Sequence, residues 1–234
     1  MASRNDLRNP EPVPPASQLA VLPFLAAVEG FLRGPDPQME LRVTLHRAMN
    51  REGQEYLQQV CGYLGPERKE DRSGSGRMFP VNFGIMGAAF ERSCILRTRH
   101  YPTKDELLAA LREDMKRTGD TGDISKRRLS WLAIPFLGPE EQPVLVLFAD
   151  TFEFDFFANH ERTRAVVNMC WGFCRLIDAL EEDPFPNLRN FAFQAGKKVK
   201  GVDTVYPTIQ EEVREFPVPR FQRLRSFNYE ASVS

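Results

Sequence analysis

The sequence predicts an α+β domain: a central antiparallel sheet of five to six strands flanked by helices, with a flexible N-terminal arm and a basic C-terminal tail. Three observations carry this. Segments 39–48 and 55–64 alternate in side-chain character, and Asn50-Arg51-Glu52-Gly53 between them is a turn sequence, so the pair reads as a hairpin. Segments 130–137 and 144–150 are near-continuous apolar runs, the pattern of central strands covered on both faces. Helical patterns at 19–32, 103–119 and 161–182 surround these strands.

Each element follows from its residues. Segment 1–16 holds Pro10, Pro12, Pro14 and Pro15 with little apolar content, and reads as an arm. In 19–32, Leu22, Leu25 or Ala26, Val28 or Glu29, and Leu32 share a helical face; Pro23 fits best in the first turn, and Gly34-Pro35 closes the helix. In 39–48, Met39, Leu41, Val43 and Leu45 alternate with Glu40, Arg42, Thr44 and His46, which predicts a half-buried strand with His46 on its polar face. In 55–64, Tyr56, Gln58 and Val60 oppose Leu57, Gln59 and Cys61. Segment 66–77 is charged and Gly/Ser-rich, a loop. Segment 82–91 predicts a short helix opening at Gly84, where a missing side chain lets the backbone approach a neighbour or ligand closely. Strand 95–101 carries Arg97 and Arg99 opposite Leu96 and Thr98. Thr103-Lys104-Asp105-Glu106 is a capping box; the helix then buries Leu107, Leu108, Leu111 and Met115 and ends at Gly119. The last helix aligns Val166, Cys170, Phe173, Ile177 and Leu180, and Pro184 and Pro186 stop it. The expected organisation is arm 1–16, domain 17–183 and extended basic tail 184–234.

Composition narrows the function classes. With 234 residues, 42% hydrophobic and 27% charged, the chain can form a packed core. Lys and Arg total 31 against 32 Asp and Glu, so the overall basic signature of a dedicated nucleic-acid binder is missing and no nucleic-acid partner is expected. The tail alone has eight basic against five acidic side chains. Phe supplies 18 residues, far more than Trp and Tyr, which suits an aromatic core or apolar pocket. No run approaches the roughly 18 apolar residues of a membrane span. Segment 19–28 contains Pro23 and lacks signal-peptide flanks, so a cytoplasmic protein is expected. Cys61, Cys94, Cys170 and Cys174 form no secreted-type framework, and His46, His100 and His160 are scattered, so no metal site is expected.

The element order, with three stretches, resembles the GAF domain over about residues 19–182. Phe83-Gly84-Ile85-Met86-Gly87-Ala88-Ala89-Phe90 is similar to the family's glycine-rich entry to its pocket helix. Trp131-Leu132-Ala133-Ile134-Pro135-Phe136 and Pro143-Val144-Leu145-Val146-Leu147-Phe148-Ala149-Asp150-Thr151 resemble its paired central strands. The resemblance implies a bacterial-type, PAS-like sensory fold with a small-molecule pocket on one face of the sheet. The Asn-Lys-Phe-Asp-Glu constellation of cyclic-nucleotide-binding members is absent, as are the cysteine pattern of the sulfoxide-reducing members and the bilin-attachment Cys-His, so the cofactor is unknown.

The ligand-binding candidates are Phe83, Gly84, Met86, Phe90, Arg97, Arg99, Trp131 and Phe148. With Arg92 and His100, the two arginines would steer an anionic or nucleotide-type ligand toward amides at the helix start. The plainer alternative makes Arg97 and Arg99 the solvated face of an edge strand, and Met86 and Phe90 ordinary core. Lys126-Arg127-Arg128 reads as a solvated charge run rather than a phosphate clamp. Asp150, Glu153 and Asp155 alternate with phenylalanines, so the rings anchor a loop while the carboxylates face water and His160. No catalytic constellation is legible and the chain is not expected to be an enzyme. The expected function is a sensory or regulatory domain that binds a small molecule and signals through helix pairing, as a homodimer or with a separate output protein. The alternative is an interaction or dimerisation module whose pocket is filled by its own side chains.

Overall fold

The computed structural model describes residues 13, 15–36, 38–64, 74–119, 122–124, 127–182, 188–190, 196–198, 207–227 and 229–231. Residues 1–12 and 14 of the expected arm 1–16, most of the 66–77 loop, Lys126 and parts of 184–234 lie outside them, and Pro15 and Ala16 of that arm begin the first helix. Helix α1 (Pro15–Arg33) is followed by the hairpin β1 (Leu41–Arg51) and β2 (Gln54–Gln59), then β3 (Met78–Pro80), helix α2 (Gly84–Arg92) and β4 (Leu96–Thr98). Helix α3 (Lys104–Thr118), the central strands β5 (Ser130–Leu137) and β6 (Pro143–Thr151), and helix α4 (His160–Glu182) come next. The short strands β7 (Leu188–Asn190), β8 (Lys197–Lys198), β9 (Gln210–Glu212) and β10 (Tyr229–Ala231) complete the described elements.

Eight of the strands form one sheet in the order β3-β2-β1-β6-β5-β4-β9, with β8 also on β2, while β7 and β10 pair separately. The α+β class holds, but the strand number is corrected: eight, not five to six. The additional strands are two or three residues long, too short to show alternation, and partner register is what defines them. Except for β8, which runs parallel to β2, every pairing in the sheet is antiparallel.

Helices cover both faces of this sheet. Leu41, Val43 and Leu45 of β1 join α1 and α4 in the main core, together with Leu132, Ile134 and Phe136 of β5. On the opposite face α2 packs against β4, β5 and β6. The expectation of a half-buried β1 is therefore corrected: Thr44 is 0% and His46 1% exposed. Alternation of polar and apolar residues marks water on one face only where nothing covers that face.

Two further local expectations change. Pro23 lies inside α1 rather than in its first turn, because the helix starts at Pro15. The carbonyl that Pro23 leaves unpaired belongs to Leu19, which is 70% exposed and open to solvent. The capping box forms with Thr103 accepting from the Glu106 amide, while the Glu106 carboxylate meets the Thr103 hydroxyl at 3.1 Å. Gly119 ends α3 in the left-handed region as its type demands.

Within the segment expected as a tail, Ile209, Val213, Phe216, Phe221, Leu224 and Phe227 are buried in the core clusters. Phe221, Leu224 and Phe227 are fully buried beside α4. Two buried carboxylates fasten the segment by accepting backbone N–H groups: Asp114 from Thr208 and Ile209, and Asp178 from Gln222, Arg223 and Leu224.

Candidate functional site

Helix α2 is set by two glycines with different reasons. Gly84 opens it at φ +61°, a conformation that favours glycine, while open space surrounds its missing side chain. The close approach expected at Gly84 occurs instead at Gly87, where a Cβ would stand 2.6 Å from the Val81 carbonyl. The helix is thereby pressed onto the turn that follows β3.

Phe83, Met86, Phe90, Trp131 and Phe148 are brought together here, around Ala89, Ala133 and Val146. Arg97 and Arg99 are not. Leu96 packs beneath α2, so strand alternation sends Arg97 to the other face. There Arg97 is buried, and it donates to Glu211 at 2.7 Å, to the Phe157 carbonyl and to Thr163. It is neither a pocket cation nor a solvated one. Arg99 is exposed, and its amide donates to the Ile209 carbonyl.

Beside the α2 cluster lies a polar row that the sequence reading did not single out. His46 on β1 stands between Gln59 on β2 and Val146 on β6, and Thr44 faces Phe148. Cross-strand partners share a face, so Thr44, His46 and Gln59 all lie on the α2 side. All three are buried, yet Thr44 Oγ1, both His46 ring nitrogens and Gln59 Oε1 lack a hydrogen-bond partner of good geometry. Gln59 Nε2 donates to the Cys61 carbonyl at 2.8 Å, and the carboxamide packs against Gly74, where a Cβ would stand 2.5 Å from Nε2. The Phe79 ring meets His46 edge-on at 5.5 Å and lies 5.5 Å from Phe83. Burial lowers the His46 pKa to about 3, outweighing a hydrogen bond with the Val146 backbone that acts the other way, so its imidazole is neutral at physiological pH.

A charged cluster closes one end of the row. Asp150, 1% exposed, accepts from Arg42 through both carboxylate oxygens and lies 3.6 Å from Arg128. Arg42 also covers the Tyr63 ring, and Arg128 the Phe152 ring. This corrects the expectation that Asp150 faces water and that Arg128 belongs to a solvated run. Asp155 meets His100 at 2.7 Å rather than His160, whose ring rests against Phe216.

Chemically the row offers neutral hydrogen-bonding groups. Buried thiols elsewhere are held protonated, Cys61 being pushed up to about 12 by burial. Among the described residues no cluster of three His, Cys, Asp or Glu side chains could hold a metal ion. The missed signal was local: Thr and His, rather than Lys or Glu, stand at successive polar positions of β1, which pairs with the apolar β6.

No family model and no curated protein matches the chain. Among solved structures, an IcIR transcriptional regulator from Alicyclobacillus acidocaldarius is similar at 16% identity, with a TM-score of 0.34. The similarity covers 65% of this chain and 63% of that one, so the chain spans less than two thirds of the protein it resembles. Among the described residues no helix is long and apolar enough to cross a membrane.

Proposed function

We propose that this chain is a sensory or regulatory domain that binds a small molecule between α2 and the sheet. One observation carries the reading: Thr44 Oγ1 and Gln59 Oε1 are buried without a hydrogen-bond partner, and the buried His46 ring nitrogens meet only the Val146 backbone with poor geometry, beside the cluster formed by α2. Each unmet buried group costs about 1–3 kcal/mol, which a ligand supplying the missing hydrogen bonds would recover. Phe83, Met86, Phe90, Trp131 and Phe148 are the proposed walls. The GAF resemblance, stated from sequence, supports the same helix as the pocket entry. Arg97 and Arg99 drop out of the proposal because they face elsewhere.

The proposed output runs through β1. Thr44 and His46 lie on one of its faces, and Leu41, Val43 and Leu45 meet the α1 and α4 side on the other. A ligand that favours one placement of β1 shifts the population of arrangements of these two helices. Leu19 and Phe31 on α1 and Leu176 on α4 are exposed apolar residues suited to a second copy or a separate output protein.

The test is native mass spectrometry of the protein as purified, repeated after denaturation, with thermal shifts against a metabolite library. A released small molecule, or a library compound that raises Tm in wild type but not in His46→Phe, is the expected result. A bare protein that responds to no compound overturns the sensor and leaves an interaction module with a self-filled pocket.

A further inference from the structure

The segment Gly196-Lys197-Lys198 links the tip of the first hairpin to α2. Strand β8 runs parallel to β2, with Lys197 beside Gln54 and Lys198 beside Glu55. The Lys197 amide donates to the Gly53 carbonyl at 2.6 Å, and the Gly196 amide to Glu55 Oε1 at 3.3 Å. This approach requires glycine at 196: a Cβ there would stand 2.7 Å from the Gly53 carbonyl oxygen and 2.8 Å from Asn50 Nδ2. Glu55 shares a strand face with Leu57, a member of the α2 cluster, so its neighbour Lys198 lies on the α2 side. There the Lys198 ammonium pairs with Glu91 in the last turn of α2.

The attachment is specific in shape and weak in strength. None of the three residues carries an apolar side chain, and both lysines are exposed. An exposed ion pair is worth no more than about fivefold in an equilibrium. A ladder of two residues held by such contacts opens at lower cost than the strands it lies on. What it fastens is closed: Met86 is 5% and Phe90 8% exposed, so a small molecule reaches the cluster when α2 moves off the sheet. Chain order leads from α4 through β7 to this segment, which links its release to α4 along one stretch of backbone.

We propose that residues 196–198 are a releasable latch that holds α2 down on the sheet, and that its release admits the small molecule. This deepens the reading above and rests on it. Binding to a form populated for a fraction of the time is weakened by that fraction, so the latch sets the apparent affinity.

Backbone hydrogen exchange in the full chain tests the latch without any ligand. Lys198→Glu brings two carboxylates together and should speed exchange of the α2 amides from Ala88 to Arg92 by about threefold, with α3 and β5 unchanged. Combining Lys198→Glu with Glu91→Lys restores the pair with its signs reversed and should return exchange to the wild-type rate. Gly196→Val drives a side chain into the Gly53 carbonyl and should reproduce the effect of Lys198→Glu.

Unchanged α2 exchange in both single variants overturns the latch, as does a charge swap that restores nothing. Faster exchange in α3 and β5 as well overturns it too, since the segment is then one part of a globally cooperative fold. If native mass spectrometry releases a small molecule while the variants leave α2 unchanged, the latch falls and the sensor reading stands. If the variants free α2 but no molecule is released and no library compound raises Tm, the latch has nothing to admit and both fall.

Discussion

The two faces of the sheet treat buried polarity in opposite ways. On the α1 and α4 face the protein buries two arginines and pairs both. Arg47 donates to Gln58 and to the Phe227 carbonyl, and Arg97 to Glu211, Phe157 and Thr163. On the α2 face it pairs one buried charge, Asp150 with Arg42, but leaves polar atoms of neutral side chains, Thr44 Oγ1 and Gln59 Oε1, unmet. A buried unpaired charge costs more than folding can bear, so it must be satisfied within the chain, whereas a neutral polar group costs little enough to be left for something else. The first face therefore holds its charges within the fold, and the second carries the unmet polar atoms on which the proposed site rests.

The largest expected effect breaks the first face. Phe136 is fully buried among Phe24, Phe173 and Phe221, with ring centroids about 6 Å apart. Phe136→Ala should lower the free energy of unfolding by about 3–5 kcal/mol, measured by urea denaturation. A loss below about 1 kcal/mol would mean that this aromatic cluster does not carry the core.

Next comes the carboxylate that fastens the C-terminal segment. Asp178 is 9% exposed and accepts from three successive amides. Asp178→Ala should cost on the order of 3 kcal/mol, since hydrogen bonds to charged groups are worth about 1.5–3 kcal/mol each and solvent replaces part of the loss. Hydrogen exchange at the amides of Gln222, Arg223 and Leu224 should accelerate before that of β5 and β6. Uniform acceleration would instead show that the segment and the sheet unfold as one unit.

These two regions were legible to different degrees. The paired runs at 130–137 and 144–150 and the capping box at Thr103 are local patterns, and each became the expected element. The short strand β9 was hidden because three residues carry no periodicity, and only Leu96, Arg97 and Thr98 across the ladder define it. The packing of Phe83, Met86 and Phe90 in one cluster was legible because they flank Gly84 at helical spacing. Thr44 and His46 were hidden by a correct inference with a wrong premise, since alternation does separate two faces but cannot say that water lies on one of them. Arg97 failed for the same reason in reverse: a basic strand residue was assigned to solvent or ligand, when a partner 114 residues away neutralises it.

Acid should act on the second face through His46. Its pKa is lowered from 6.5 to about 3, so between those values the unfolded chain takes up a proton that the folded protein refuses. Above pH 6.5 this group adds no pH dependence. As pH falls below 6.5, stability is lost at about 1.4 kcal/mol per unit, until the folded-state pKa is passed. The difference between wild type and His46→Phe across pH 7 to 4 isolates this contribution from that of the carboxylates. Equal slopes in the two proteins would place the His46 ring in contact with solvent or with an acceptor that holds its proton.

The smallest expected change has the opposite sign. Thr44 is 0% exposed and its hydroxyl has no partner, so Thr44→Val keeps the shape and removes an unmet polar group. The variant should be more stable than wild type by about 1 kcal/mol in the absence of ligand, because replacing an unsatisfied hydroxyl by a methyl recovers its desolvation cost. The same substitution on the first face would do the reverse: Thr163 Oγ1 lies within hydrogen-bond distance of Arg97 and donates to the Phe157 carbonyl, so Thr163→Val should destabilise. Matched denaturation curves of the two variants measure the contrast between the faces directly. If Thr44→Val also destabilises, its hydroxyl is already satisfied by a bound molecule in the purified protein, and refolding from denaturant after dialysis should bring the stabilising effect back.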